Sequence, residues 1–525
     1  MAGIDETIDR WLQAGQAVGP VSPPLSFGLV RRPELWLAIL CVTQITCWTL
    51  MPALVDTAPP RDVVEGFMWG REWVLLTYKH PQLPAWLLEA SHLLTGSFRW
   101  PQYLLAQLTI SSTFILVYLL ARDILGRPRA LAAVLLMPTI YFFGWPTPQF
   151  NHDYAQMPFW AAIAWLLWRA ARDGGPGWWL ALGLVSGVGL YAKFSTGLLL
   201  LFGATWLLCD TRARARLGAP WPWLALVVFI GIVAPLAIAL YRIDFLPLTY
   251  VASRNEWVMA HRARLYYIGV QLAGLTGFVA VLSISGLLRR GRPADGLHQA
   301  QVEPRALNYL LWMGLGPATL MMVASLFTGA GEAWGAPMYN LVGVVAIACL
   351  GSRLGTAELR RLAACAGVCI VVMSAVYAAT RATACGAIGH LEPVCWPAQL
   401  VSDEAETVWH EATKARLGIV GGDDDLAMLA GLDARDKPSI FTGLDMRLAP
   451  WITPQRLRDQ GMLLVWSGSE VPPGLRPWVG ALPVKTVLVD WSRVAAPVEV
   501  NFAVILPGTH NPSDMTPPRA GNLVK

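Results

Sequence analysis

Up to about residue 380 the chain is a succession of apolar stretches, about eleven of them, each roughly 17 to 25 residues long and so able to cross a hydrocarbon core. They run approximately over 33–54, 101–121, 129–147, 154–172, 177–193, 195–209, 219–241, 265–288, 304–328, 337–352 and 362–380, and 177–209 also reads as one broken pair. Inside a bilayer every backbone N–H and C=O must find a partner within the chain, so such a succession folds as a polytopic α-helical membrane protein. With 55% hydrophobic residues, 14% charged residues and 25 Trp, the chain is too apolar for a soluble globule.

The net charge of +5 sits mostly in short loops, where it speaks about orientation before nucleic acid. With residues 1–32 read as a cytoplasmic tail carrying a surface helix at 4–17 and no cleavable signal peptide, the inner loops hold Arg122, Arg127 and Arg129; Arg169 and Arg172; Arg212, Arg214 and Arg216; Arg289, Arg290, Arg292 and Arg305; and Arg353, Arg360 and Arg361. This assignment makes 56–100, 145–153, the neighbourhood of Lys193, 242–264, 330–338 and everything after about residue 380 external. Residues 33–380 form the membrane domain, and its first external loop is 55–100.

That first loop, reading RDVVEGFMWGREWVLLTYKHPQLPAW over 61–86, carries the chemistry. At helical spacing Asp62, Glu65, Trp69 and Glu72 share one face, and Val63, Val64, Phe67, Met68, Val74 and Leu75 cover the other. The pattern predicts a helix lying on the membrane with its acids toward a protein cavity and Arg71 snorkelling to headgroups. Lys79 and His80 then bring cationic groups to Pro81, which stops the helix. A second external carboxylate, Asp153, follows Asn151 and His152; ionisable groups at a bilayer are costly and tend to mark function.

The loop 242–264 carries Arg242, Arg254, Arg262, Arg264 and His261 on the side where positive charge is disfavoured, which points either to anchoring on lipid headgroups or to a binding site for phosphate, the ligand a guanidinium meets with paired donors. Lys193 ends a span at the outer face, equally placed for snorkelling or phosphate contact. Glu332 and Trp334 lie in another outer loop, Trp334 as an interface anchor or a stacking surface for sugar.

After residue 381 the pattern changes to short buried strands at 417–420, 439–441, 462–466, 485–489 and 501–505, alternating with helices at 403–414, 424–431 and 453–460. Residues 381–525 therefore form a small external α/β domain with a loose end from 507. GGDDD at 421–425 reads as a helix start, where acids cap and complement the dipole, rather than a metal site. Six cysteines fall in or beside spans as packing residues, and external Cys385 and Cys395 are placed for a disulfide. No CxxC pair or HExxH motif supports zinc.

The run from Asp62 through Arg71 to Tyr78-Lys79-His80-Pro81, with Leu83 and Trp86, resembles the first-loop signature of the GT-C polyprenyl-phosphate-dependent membrane glycosyltransferases, the superfamily of protein O-mannosyltransferases and aminoarabinose transferases. Arg71 keeps the superfamily spacing of nine residues after the Asp, and Asp153 with Trp160 is similar to its second signature. The likeness extends over about residues 30–340 and is greatest to the alphaproteobacterial branch that decorates lipopolysaccharide, including galacturonosyltransferases. Val63 stands where a second acid is usual, leaving Glu65 nearest, and Gln82 replaces a second Pro; the first departure weighs against a metal held by adjacent carboxylates.

The resemblance implies an inverting transferase, hexosyl, pentosyl or uronosyl, that takes a sugar from a polyprenyl-phosphate donor at the outer face of a bacterial inner membrane. Lipid A or lipopolysaccharide core is the implied acceptor. The protein would act as a monomer, need no cofactor and bind no nucleic acid. Asp62 is the expected base, with Asp153 and Glu65 as supporting carboxylates. Lys79, His80, Lys193, Arg254, His261 and Arg262 are expected on the donor phosphate. Trp69, Asn151, His152, Glu332 and Trp334 are expected on the sugar or acceptor. The external domain binds acceptor or lids the cavity. Two other classes compete: a transporter or flippase for an anionic polyprenyl-linked lipid, and a non-catalytic envelope assembly protein. Against a carrier stand the lack of an inverted repeat in the hydropathy and of ionisable residues deep in a span.

Overall fold

The computed structural model describes residues 25–289, 302–388, 393–490 and 497–509. The expected helix at 4–17, Arg290, Arg292 and the chain from 510 onward lie outside these. Among the described residues six helices are long and apolar enough to cross a membrane: Pro33–Val55, Trp100–Leu125, Pro220–Arg242, Tyr266–Ile284, Pro304–Thr328 and Thr356–Thr383. The pair Glu332–Tyr339 and Val342–Leu350, bent by 45° at its break, makes up to seven. Other apolar stretches form shorter helices, Met157–Asp173, Pro176–Ala192 and Thr196–Cys209. The 129–147 stretch is helical only over Arg127–Leu135 and continues as two short turns at Met137–Thr139 and Tyr141–Phe143, with Pro138 and Gly144 interrupting it.

Small residues and buried amides set the bundle's close contacts. A Cβ on Gly183 would lie 2.3 Å from the Ala225 carbonyl oxygen, so the Pro176–Ala192 and Pro220–Arg242 helices meet backbone to backbone. Gln44 donates to Gln107 at 3.0 Å and to the Phe143 carbonyl at 3.1 Å, satisfying polar groups where water is absent. Just past the first span, buried Asp56 accepts from the hydroxyls of Tyr103 (2.7 Å) and Tyr377 (3.0 Å), fixing where the first loop leaves the bundle.

The C-terminal domain is a five-stranded sheet, β1 (Ile419–Gly422), β2 (Ser439–Phe441), β3 (Met462–Ser467), β4 (Val484–Val489) and β5 (Val498–Ile505), in the order β2-β1-β3-β5-β4. β1 is parallel to β2 and β3, whereas β5 runs antiparallel to β3 and β4. The apolar β1 and β3, buried along nearly their whole length, carry the Asp424–Leu432 helix, and the Ala398–Ala412 helix lies beside it against β4 and β5. Cys395 is disulfide-bonded. Cys41, Cys47, Cys209, Cys349, Cys365 and Cys369 are free. The side chain of Cys385 lies outside the described ones.

The domain sits directly on the first-loop helix, Arg61–Arg71, which corrects the expectation of a helix lying on lipid. Val63, Val64, Phe67 and Met68 are buried in one cluster with Leu88 and with Leu426, Met428 and Ile440 of the domain. Arg71 does not snorkel. It donates to the carbonyls of Gly431 (2.7 Å) and Leu432 (2.6 Å), at the negative end of the Asp424–Leu432 helix, and lies over the Phe98 ring at 5.1 Å. Burial pulls this guanidinium down to about 10, so it stays charged at neutral pH. Arg61 adds an ion pair to Asp425 at 2.6 Å. Arg71→Ala removes two charge-assisted hydrogen bonds to buried carbonyls and is expected to cost about 3 kcal/mol. Limited proteolysis within the domain should report its loosening, and an unchanged cleavage pattern would show that the apolar seam alone holds it.

Candidate active site

At the seam between bundle and domain lies a polar cavity of about 460 Å³. Its walls come from every loop that the charge pattern assigns to one common side: Arg61, Asp62, Glu65, Trp69, Tyr78, Lys79 and His80; Asn151, His152 and Asp153; Lys193; Tyr250, Arg254, Trp257, Arg262 and Tyr266; Glu332 and Trp334. The domain contributes Asp424. Of the residues expected at the site from sequence, His261 alone is absent from this wall. It is exposed, stacks on Trp257 and bonds that residue's carbonyl at 2.8 Å, because it ends its helix on the side turned away from the cavity.

Two of the three expected acids are neutralised in place. Lys79 Nζ is 2.6 Å from Glu65 Oε1, with the two side chains 11% and 10% exposed. Burial works against the Lys79 charge, yet Glu65 more than offsets it and holds the ammonium above its ordinary range. The rings of Trp69, Tyr78 and Tyr250 surround it at 5.6, 5.3 and 5.5 Å. Lys193 Nζ likewise lies 2.5 Å from Asp153 Oδ1 and 5.7 Å from the Trp334 ring centre. Both lysines expected on the donor phosphate thus hold carboxylates.

Asp62 differs. Its side chain is exposed to the cavity, and among the described residues no cation lies within 4 Å of it. Its neighbour is the Asn151 amide at 3.4 Å. Asn151 turns its oxygen to the Asp153 and Tyr154 amides as helix cap, which leaves its NH2 for Asp62.

His80 and His152 lie with ring centroids 4.3 Å apart and planes tilted by 38°, and His152 Nε2 lies 2.9 Å from the Pro81 carbonyl oxygen. His80 was expected to be cationic; instead burial, then His152, Lys193 and Lys79, hold its ring well below 6.5 and neutral. Burial first and Lys193 second bring His152 down to about 3. Both rings therefore take up protons on unfolding as pH falls below about 6.5, so stability is present above that pH and is lost below it, by about 1.4 kcal/mol per pH unit for each ring. The melting temperature is expected to drop between pH 6.5 and 4, and His152→Gln, which keeps a donor for Pro81, should flatten that slope; an unchanged slope would assign it to other groups.

Arg254 and Arg262 remain as cations. Among the described residues neither has a carboxylate within ion-pair distance, and each lies over an aromatic ring of its own segment, Trp257 at 4.9 Å and Tyr266 at 4.7 Å. Tyr266 in turn donates to Glu332. Tyr250, Arg254 and Trp257 form a stripe at i, i+4 and i+7, so the helical period already carried the signal for the two aromatics that sequence reasoning passed over. Arg61, Tyr78, Tyr266 and Asp424 are further polar cavity residues not anticipated as site residues.

A bundle of apolar helices with a helical first loop and an α/β domain seated on it, enclosing a polar cavity at the junction, has the GT-C type of fold. Residues 79–238 match the family described as dolichyl-phosphate-mannose-protein mannosyltransferase. The chain is similar to the crystal structure of ArnT from Cupriavidus metallidurans bound to undecaprenyl phosphate, with a TM-score of 0.60 at 14% identity, covering 89% of this chain and 97% of that one. The apo state of the same protein gives 0.58 at 13% identity over 90% and 98%. No curated protein matches the chain in sequence.

Proposed function

We propose that this protein is an inverting glycosyltransferase that moves a sugar from a polyprenyl-phosphate donor to an acceptor at the outer face of the bacterial inner membrane. The observation that carries the reading is the division of charge in the cavity: an unpaired carboxylate, Asp62, shares one enclosure with two unpaired guanidiniums, Arg254 and Arg262. The guanidiniums receive the donor phosphate and stabilise the charge that develops as the anomeric C–O bond breaks. Asp62 takes the proton of the acceptor hydroxyl as that oxygen bonds the anomeric carbon, and polyprenyl phosphate leaves with the electron pair.

Glu65 and Asp153, each held by a lysine, serve as positioning groups, since each carboxylate is already engaged by an ammonium. The neutral His80 and His152 bond the sugar without competing for the phosphate. The lipid in the name of the ArnT structure, undecaprenyl phosphate, is the donor carrier this reading adopts. Lipid A or lipopolysaccharide core is the acceptor class we favour, because a cavity at the membrane edge admits a lipid-borne hydroxyl.

Purified protein incubated with undecaprenyl-phosphate sugars and extracted envelope lipids should produce an acceptor carrying one added sugar mass. Lack of an increment with every donor, while donor lipid still binds, would favour a carrier. Labelling of a cysteine placed at residue 62 by an impermeant reagent on intact inner-membrane vesicles of known orientation tests the sidedness.

A further inference from the structure

The three consecutive acids of GGDDD have separate fates. Asp423 is the cap of the Asp424–Leu432 helix, its carboxylate accepting from the Asp425 and Leu426 amides at 3.1 Å each. Asp425 pairs with Arg61 across the seam. Asp424 is needed for neither, and among the described residues it is the one domain residue in the cavity wall. We propose that Asp424 is a specificity-determining residue that hydrogen-bonds hydroxyl groups of a substrate sugar.

The backbone around Asp424 is built to aim it. Gly422, at φ +126°, closes β1 so tightly that a Cβ there would lie 2.0 Å from the Val465 carbonyl oxygen. Only glycine fits, and the turn it makes sends the next residues toward the membrane domain. From the neighbouring strand's end Gly443, also in the left-handed region at φ +60°, donates its N–H to Asp424 Oδ1 at 2.8 Å. One carboxylate oxygen is thereby fixed and the other is left for a ligand. These are the carboxyl ends of parallel strands on either side of which the chain turns, the place where open α/β sheets take ligands.

The surroundings select the ligand class. Burial, with Glu65 facing it, raises the carboxyl above its ordinary range despite the Gly443 bond, so a further anion is disfavoured here and the donor phosphate belongs with the arginines. Among the described residues no three His, Cys, Asp or Glu side chains group to hold a metal. A neutral hydroxyl remains, borne by the transferred sugar or by the acceptor.

The inference rests on the transferase reading, and the experiment separates the two. Initial rates of the full-length protein are measured against donor and acceptor in turn for wild type, Asp424→Asn and Asp424→Ala, and repeated with substrates lacking single sugar hydroxyls. Loss of a charged hydrogen bond should raise KM about 10- to 100-fold for one substrate only, which identifies the source of the hydroxyl. The matching deoxy compound should then be used equally well by wild type and variant. Asp424→Asn keeps an acceptor for Gly443 N–H, so it decides the case if the alanine variant melts early. KM values for both substrates within twofold of wild type in Asp424→Asn, with no deoxy compound rescuing either variant, would overturn the inference and leave the transferase standing. A wild type that transfers nothing would end both.

Discussion

Asp62→Asn is expected to lower kcat by about a thousandfold, within the span that a positioned general base contributes, while KM for the donor changes little. The substitution is isosteric and the side chain is exposed to the cavity, so thermal stability should hold. Glu65→Gln and Asp153→Asn provide the contrast. Each leaves a buried lysine without its carboxylate, a loss that runs to about 3–5 kcal/mol for one partner of a buried pair, so they should melt earlier than wild type while Asp62→Asn does not. Single-turnover sugar transfer separates chemistry from release. A drop of less than tenfold in Asp62→Asn would remove Asp62 as the base and return the question to the paired acids.

Much of this architecture is legible in the sequence where a local signal suffices. The strands of the C-terminal domain fall within a few residues of the apolar runs that predict them, because β1 and β3 are buried on both faces and leave no polar alternation to confuse the reading. The cavity walls are legible through charge: residues costly at a membrane edge, scattered over loops hundreds of residues apart, meet in one place. What depends on tertiary partners is not legible. The apolar face of Arg61–Arg71 is the same whether lipid or a protein helix covers it, and Arg71 on that face looks like a snorkelling residue until the carbonyls of Gly431 and Leu432 are seen. Lys79 and Lys193 carry charge in any sequence reading; only their distances from Glu65 and Asp153 reveal that the charge is spent on a carboxylate. His80 shows the same limit, since its neutrality comes from burial beside other cations. Asp424 hides in a motif whose first acid, Asp423, fulfils the ordinary capping role.

Removing both free guanidiniums, Arg254→Ala with Arg262→Ala, is expected to give the largest loss in donor use. Each charged hydrogen bond to phosphate contributes about 1.5–3 kcal/mol, so either single change should reduce kcat/KM for the donor about 10- to 100-fold. If both arginines meet the same phosphate, the double variant should fall short of the product of the single losses, because residues sharing one partner couple. The effect divides between the two constants. Ground-state attraction to the phosphate appears in KM, whereas the extra negative charge on the departing oxygen appears in kcat, so both should change. Lysine at either position retains the charge and loses the planar pair of donors, and should recover KM better than kcat. Among the described residues neither arginine is paired with a carboxylate, and neither is buried in the core, so the fold should survive all four substitutions. Donor kinetics unchanged in the double variant would move the phosphate to Lys79 and Lys193, which could receive it only by giving up Glu65 and Asp153.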